Sequence, residues 1–340
     1  MSITAGPAKT GRTTITDVAR AAGVSVATVS KVINGRDGIA VATSARVMQV
    51  VDKLGYERSL VATSLRQSKT NVIGVLVAEF EPFALQLLQG ISDALSDTQY
   101  DVLVYAGAVS VGNHRGWENR SLSRLGGTLI DAAILVTPTL ASPDASIPLV
   151  AIDPHTGSGG PATIDGDNLS GARAATEHLI SLGHTRVGHL RGRDDLESAH
   201  VRERGYREAM HDAGLPIPPT FVTTGGYRAD DANSGAVALL DAEVRPTAVF
   251  AANDVSAIEL IRVAHERGLR VPEDLSIVGF DDIPDAASAS PALTTVRQPL
   301  REMGAAAVEA IIEMLQGKDT SAHMRLPTRL VVRASTAPPA

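Results

Sequence analysis

Residues 14–34 contain the pattern that most restricts what this chain can fold into, two short helices broken by a tight turn. Thr16 is expected to cap the first helix, Gly23 permits the left-handed backbone of the turn, and Ser25 is expected to cap the second helix. One face of the second helix carries apolar residues at helical spacing: Val29, Val32 and Ile33. This arrangement has the shape that enters a DNA major groove, and the alternative is an ordinary helical hairpin.

Charge is distributed unevenly along the chain. The formal net charge of −7 alone argues against a nucleic-acid partner. However, residues 1–70 contain ten Lys and Arg against four Asp and Glu, a net +6, so the rest of the chain carries −13. Because basic side chains neutralise phosphates, a basic head on an acidic body is typical of a DNA-binding regulator. A solvated basic face without a partner is the alternative.

The composition restricts the class of protein. With 340 residues and 44% apolar content, the chain is long enough for two or three well-packed domains. It contains no cysteine, which excludes disulfides and thiolate metal sites. Because there is no apolar signal segment and no apolar run of 18 residues, we expect a cytoplasmic protein without a membrane partner.

After residue 70 strands and helices alternate in two successive runs, which predicts parallel sheets in two similar halves. The predicted strands are residues 72–77, 100–105, 132–136, 149–153, 187–190, 219–223, 248–251 and 275–279. The predicted helices are residues 83–96, 170–182, 201–213, 231–242 and 255–267. A third helix of the head is predicted at residues 43–54, with a buried face of Val47, Val50, Val51 and Leu54.

Short motifs occur in a specific order through nearly the whole chain. They include Thr16-Asp-Val-Ala, Gly23-Val-Ser, Thr28-Val-Ser-Lys-Val-Ile-Asn34, Leu54-Gly-Tyr56, Leu182-Gly-His184, Arg204-Gly-Tyr206, Ala252-Asn-Asp254 and Ser276-Ile-Val-Gly-Phe-Asp-Asp282. In these motifs the chain resembles the LacI/GalR (lactose-repressor) family of transcriptional regulators. The resemblance implies an all-α helix-turn-helix head and an α/β body of two Rossmann-like subdomains of the periplasmic-binding-protein type.

The resemblance also implies a division into domains. Residues 1–12 are expected to form a mobile arm, residues 13–58 the DNA-binding domain, residues 59–70 a hinge helix and linker, and residues 71–340 the effector-binding and dimerisation domain. Within that last domain, one subdomain is expected to contain residues 71–160 and 296–322. The other is expected to contain residues 161–295 and 325–336.

By position in the family motifs, Val26, Ala27 and Lys31 match the main specificity positions of the recognition helix. Lys31 can donate to guanine O6 and N7 or to a phosphate, whereas Val26 and Ala27 can make only apolar contacts, such as those to thymine methyl groups. The residues expected to position the helix are Ser25, Thr28, Ser30 and Asn34. The residues that match phosphate-contacting positions are Thr14, Thr16, Thr43 and Tyr56.

Residues 59–65 align with the hinge helix of the family, in which an Ala and a Leu enter the minor groove. Ala62 and Leu65 match these two positions, while Arg58 replaces the usual Pro and Ser59 the usual Asn. Packing of Leu65 within an apolar face of the segment is the alternative. A helix-turn-helix reads a palindrome as a dimer, so the protein is expected to be a homodimer.

Polar residues at strand ends are expected to bind a small molecule in the cleft between the two subdomains. Motif positions identify Asp153, Arg202, Asn253 and Asp281, whose planar groups suit the neighbouring hydroxyls of a sugar. The other expected contacts are Glu79, Phe83, Ser198, Tyr227 and Gln298. The alternatives are a backbone-binding role for Asp281, a surface position for Arg202, and core positions for Phe83 and its neighbour Phe80.

We therefore expect a nucleoid-associated repressor of carbohydrate catabolic genes, whose affinity for palindromic operator DNA is controlled by a sugar. The alternatives are a nucleobase-responsive repressor and a cytoplasmic sugar-binding protein without a DNA role. Neither a cofactor nor a catalytic activity is expected. The histidines at 178, 184 and 189 match no zinc spacing, the acidic pairs at 194–195 and 230–231 are adjacent in polar loops, and no glycine-rich phosphate loop follows a strand.

Overall fold

Three helices pack around a small apolar core in the N-terminal unit of the computed structural model, which describes residues 13–33, 35–56, 69–107, 116–157, 160–320 and 323–340. These helices are α1 (Ile15–Ala22), α2 (Val26–Ile33) and α3 (Val41–Leu54). Their buried core consists of Val18, Ala19, Ala22, Val29 and Val47. The chain divides into this unit, residues 1–68, and a second unit, residues 69–340. The two-helix prediction for residues 14–34 is confirmed.

The caps of the head helices are mostly where the sequence predicts them. Ser25 caps α2 by accepting a hydrogen bond from the Thr28 amide at 3.0 Å, and Gly23 is left-handed, with φ 65°. The prediction that Thr16 caps α1 is wrong. The cap is Thr14, which forms a reciprocal capping box with Asp17, because the helix begins at Ile15 and Thr16 already lies in its first turn.

The position of Leu54 in the head also differs from the prediction. It was expected on the buried face of α3, but it is exposed at the last position of the helix. Gly55 ends the helix in a left-handed conformation, and Tyr56 then packs against the core. The expected contributions of Val47, Val50 and Val51 to the core are confirmed.

The second unit contains two parallel sheets, each with helices on its faces. Its elements up to the first crossing are β1 (Val72–Val77), α4 (Pro82–Leu95), β2 (Asp101–Ala106), α5 (Trp117–Leu125), β3 (Ala132–Val136), β4 (Leu149–Ile152) and β5 (Ala162–Gly166). The next are α6 (Asn168–Ser181), β6 (Val187–Arg191), α7 (Glu197–Asp212), a 3₁₀ turn (Pro219–Phe221), β7 (Val222–Thr224), α8 (Ala229–Leu240), β8 (Ala248–Ala251), α9 (Asp254–Glu266), β9 (Ser276–Asp281), α10 (Pro284–Ser288) and β10 (Thr294–Arg297). The last are α11 (Leu300–Leu315), β11 (His323–Leu326) and β12 (Arg329–Val331).

The strand order defines two lobes. The first lobe is built on the sheet β11-β5-β4-β3-β1-β2, and the second lobe on the sheet β12-β10-β9-β8-β6-β7. Neighbouring strands are parallel except β10 and β12. In the first lobe α4 and α11 cover one face of the sheet, and the single tryptophan, Trp117, is buried in the apolar cluster that includes α5. The expected two-sheet α/β body is confirmed.

The chain passes between the lobes three times, after β5, after β10 and between β11 and β12. The expected boundaries lie at residues 160, 296 and 325. Each of them assigns part or all of one strand to the lobe in whose sheet that strand does not pair. Residues 162–166 pair in the first sheet, residue 297 in the second, and residues 325–326 in the first. The boundaries shift because each crossing follows the end of a strand.

Candidate effector site and nucleic-acid interface

A pocket of about 820 Å³, its open mouth included, lies at the carboxyl ends of strands from both lobes. This is the expected ligand position in open α/β sheets. Eight of the nine residues predicted to bind the effector line it: Glu79, Phe83, Asp153, Ser198, Arg202, Tyr227, Asn253 and Asp281. Phe80 is outside the wall and 58% exposed.

The backbone around this pocket is unusual. Six non-glycine residues in the described part of the chain have a left-handed backbone, and four of them line the pocket. These are Thr137 (φ 48°), Asp153 (φ 46°), Tyr227 (φ 72°) and Asp281 (φ 113°). Such conformations are unfavourable for side-chain-bearing residues and concentrate at functional sites, so the outliers support a binding role for this wall.

Arg202, from α7, forms the polar floor of the pocket and is 3% exposed. Its Nε donates to Asn168 Oδ1 at 2.8 Å, and its Nη1 donates to the carbonyl of Ala252 at 2.5 Å. The same Nη1 lies 3.5 Å from Asp281 Oδ1, and the guanidinium stacks 3.8 Å from the ring centre of Phe280. The buried cation is therefore oriented from several sides, as a buried charge requires.

Asp281 stands at the end of β9 and is 6% exposed. Burial raises the pKa of its carboxyl to about 6, although the nearby Arg202 acts in the opposite direction. Gln298, also predicted to touch the effector, lies behind the wall, where its Nε2 donates to Asp281 Oδ1 at 2.8 Å. Gln298 therefore orients Asp281 and is not itself on the pocket surface.

Asp153 brings a second carboxyl to the pocket from the first lobe, directly after β4. Burial raises its pKa, while Arg202, Ser198 and Asn168 favour the charged form. The two carboxyl groups thus flank one guanidinium across the cleft. Each lobe thus contributes a hydrogen-bond acceptor that can pair with a hydroxyl group of a ligand.

Tyr227 packs on the backbone of the segment after β6. A Cβ atom at Gly192 would lie 2.3 Å from the Tyr227 ring, so only glycine fits beneath it. The hydroxyl of Tyr227 is buried without a hydrogen-bond partner in the described structure, and burial raises its pKa to about 12. Asn253 holds the segment by donating from Nδ2 to the Tyr227 carbonyl at 3.1 Å, while its Oδ1 caps α9 through the Ser256 amide.

The residues after β3 were not predicted. Thr137 and Thr139 line the pocket, and Thr139 is held by the fully buried carboxylate of Glu118, which accepts from its amide and hydroxyl and from the Leu140 amide at 2.9 Å. The signal was available, since strand β3 was predicted to end at residue 136 and ligand residues follow strand ends. The contact with Glu118 has no local signal in the sequence.

The three histidines considered as metal ligands make separate structural contacts. His178 Nε2 lies 3.0 Å from the Thr336 hydroxyl, and His184 contacts Thr247 and the Ala337 carbonyl, so both hold the C-terminal segment. His189 is stacked between Tyr206 and Phe250. The described ranges contain no cluster of three metal-ligating side chains.

The acidic pairs also have local roles: Asp194 and Asp195 pair with neighbouring arginines, and Asp230 and Asp231 occupy the first turn of α8.

Those predicted DNA-contacting residues of the head that the structure describes are at least partly accessible. Val26 is 41% exposed, and Ala27, Lys31, Thr14, Thr16 and Ser25 are exposed as well. Thr28, Ser30, Thr43 and Tyr56 are half-buried. Val26 is exposed at the start of α2 and Lys31 in its last turn, and side chains of these types suit contact with base edges. Asn34, Ser59, Ala62 and Leu65 lie outside the described residues.

Comparison with known proteins places this architecture. Residues 14–59 match the model of bacterial regulatory proteins of the lacI family, and residues 176–336 match the periplasmic binding protein-like domain. The ribose operon repressor of Halalkalibacterium halodurans is 33% identical over 329 residues, which cover 95% of this chain and 97% of that protein. The chain belongs to the LacI family.

Solved structures agree with this assignment of the LacI-family chain. A complex of the transcriptional regulator CelR with cellobiose is 32% identical, with a TM-score of 0.70 over 95% of this chain and 100% of that chain. The lac repressor dimer bound to operator and the anti-inducer ONPF is 26% identical, with a TM-score of 0.81 over 96% and 100%. The protein is thus a DNA-binding transcriptional regulator with an effector-binding body. Among the helices of the described ranges, none combines the length and the apolar composition that a membrane span requires.

Proposed function

We propose that this LacI-family protein is a homodimeric repressor of carbohydrate catabolic genes, and that a sugar bound between the lobes changes its affinity for a palindromic operator. The observation that carries the proposal is the meeting of the half-buried Asp153 with the buried Arg202 and Asp281 at the strand ends of the two lobes. Carboxylates beside an oriented guanidinium pair well with adjacent hydroxyls.

Three further observations support the proposal. The Tyr227 ring offers an apolar surface for the face of a sugar ring, and its buried hydroxyl lacks a partner in the described structure. A ribose operon repressor and a regulator in complex with cellobiose are among the proteins to which the chain is similar. The operator-bound lac repressor is a dimer, which fits a twofold-symmetric site.

The allosteric step follows from the two-lobe construction. A ligand that contacts Asp153 in the first lobe and Arg202 and Asp281 in the second stabilises one arrangement of the lobes more than another. A coupling free energy of about 1–3 kcal/mol changes operator affinity about 5- to 150-fold. Only differential binding to the two arrangements produces this effect.

A thermal-shift screen of the full chain against monosaccharides, disaccharides and nucleobases tests the effector class. A sugar at 100 times its Kd stabilises the protein by about 2.7 kcal/mol, which corresponds to a rise of about 5–10 °C in Tm. The shift should be absent in Arg202→Gln and retained in Arg267→Gln, which removes a surface ion pair with Asp241. A shift by nucleobases alone would instead favour the nucleobase-responsive repressor.

A further inference from the structure

Exposure increases from the floor of the pocket to its rim. The side chains of Arg202 and Asp281 at the floor are 4% and 7% exposed. Those of Glu79 and Arg228, which line the same pocket, are 36% and 47% exposed. Glu79 and Arg228 therefore mark the solvent side of the pocket, opposite the polar floor.

Glu79 and Arg228 form an ion pair that joins the two lobes at this rim. Glu79 follows β1 of the first lobe, and Arg228 is the residue before α8 of the second. An Nη2 atom of Arg228 contacts Oε2 of Glu79. The two residues are 149 positions apart in sequence, so the pair exists only because the lobes approach each other here.

A second set of contacts joins the lobes at the same pocket. His155, which follows β4 of the first lobe, has its Nδ1 3.5 Å from Asp195 Oδ2 of the second lobe, and its carbonyl accepts from the Glu197 amide at 3.1 Å. Arg193 fixes Asp195 with two hydrogen bonds of 3.0 and 2.7 Å. These contacts close one wall of the pocket. A ligand too long for the pocket therefore has to extend past the Glu79–Arg228 rim or displace these contacts.

We propose that the Glu79–Arg228 pair sets the size limit of the ligand, admitting a single sugar ring and disfavouring a sugar with a second linked ring. This inference rests on the proposed function of the cleft as a sugar site. A linked second ring extends from the floor toward solvent and meets the paired side chains. Its binding therefore requires the pair to separate, an opposing contribution that a single ring does not meet.

Matched pairs of free sugars test the size limit by isothermal titration of the full chain. The probes are D-glucose with cellobiose and maltose, D-galactose with lactose and melibiose, and D-xylose with xylobiose. Within the series that binds, the wild type should bind the monosaccharide about two- to fivefold more tightly than its disaccharides, as expected from the strength of a partly exposed pair. In Arg228→Ala and Glu79→Gln the ratio should approach one.

Two further proteins complete the design. The exchange Glu79→Arg with Arg228→Glu rebuilds the pair with reversed polarity and should restore the wild-type ratio. Arg267→Ala, which removes an ion pair within the second lobe, should leave the ratio unchanged. Equal binding of mono- and disaccharide by the wild type, or an unchanged ratio in both single variants, overturns the size limit. Absence of binding by every sugar to every protein overturns the proposed function of the cleft instead.

Discussion

Replacing Asp281 by Asn separates the two effects of this buried carboxyl, on ligand binding and on stability. If a sugar hydroxyl donates to the ionised carboxylate, its loss removes a charge-assisted hydrogen bond of about 1.5–3 kcal/mol, so affinity should fall about 10- to 150-fold. Asn retains the shape and an acceptor for Gln298, whose amide lies 2.8 Å away. The loss then reports the charge and not a cavity.

The free energy of unfolding of the same variant, measured without sugar, should be equal to or greater than that of the wild type. Burial raises the pKa of Asp281 from 3.8 to about 6 despite Arg202, so its ionised form disfavours folding above pH 6, by about 3 kcal/mol. Without sugar, Asp281→Asn should therefore unfold no more easily than the wild type at pH 7. Chemical denaturation measures this, and Asp241→Asn on the exposed surface serves as the matched control.

The pH dependence of binding completes this test. In the wild type, sugar affinity should fall as pH decreases below about 6, by about tenfold per pH unit, because the carboxyl must lose its proton to accept a hydroxyl hydrogen. In Asp281→Asn this component should be absent. Titration calorimetry from pH 5 to pH 8 gives both profiles. Identical profiles, or a variant that loses stability together with affinity, would refute the reasoning.

Three other perturbations have defined outcomes. Lys31→Ala should lower discrimination between operator and random duplex by about 1–3 kcal/mol, whereas equal weakening on all duplexes in a binding titration would assign Lys31 to phosphate contact. Desolvation lowers the pKa of the buried His189 to about 4. The free energy of unfolding of the wild type should therefore decline by up to about 3 kcal/mol as pH falls from 6.5 to 4. His189→Phe should remove this pH-dependent decline in denaturant melts. Glu118→Gln leaves the buried hydrogen-bond donors around Thr139 mismatched and should weaken sugar binding by about 1–3 kcal/mol. The affinity can be read from the fluorescence of the single tryptophan, Trp117. An unchanged affinity would show that sugar binding does not depend on the contact between Glu118 and Thr139.

Much of the fold is predictable because its signals are local. The head helices have caps and apolar faces at short spacing, and strands such as β1 and β3 are uninterrupted apolar runs. Strand β5 was missed because Thr163 and Asp165 interrupt its apolar pattern, and α5 was missed because it is rich in polar and charged residues. The first crossing point between the lobes was misplaced for the same reason, because it follows β5.

The candidate site is predictable only in part. Asp153 and Asp281 follow from the family resemblance together with the rule that ligands bind at strand ends, whereas Arg202, which lies within α7, follows from the resemblance alone. The contacts that support the pocket could not be predicted in this way, because those of Gln298 with Asp281, of Glu118 with Thr139 and of Glu79 with Arg228 each join distant parts of the chain. Such contacts arise from tertiary packing and leave no periodic pattern in the sequence.

Operator binding by the intact protein, measured with and without the sugar that gives the largest thermal shift, tests the central claim most directly. A twofold-symmetric duplex selected from a random library should bind about 10³-fold or more tightly than unrelated duplex at the same salt concentration. The sugar should then change that affinity about 5- to 150-fold. A protein that binds the selected and unrelated duplexes equally, or whose operator affinity is the same with and without bound sugar, would contradict the account.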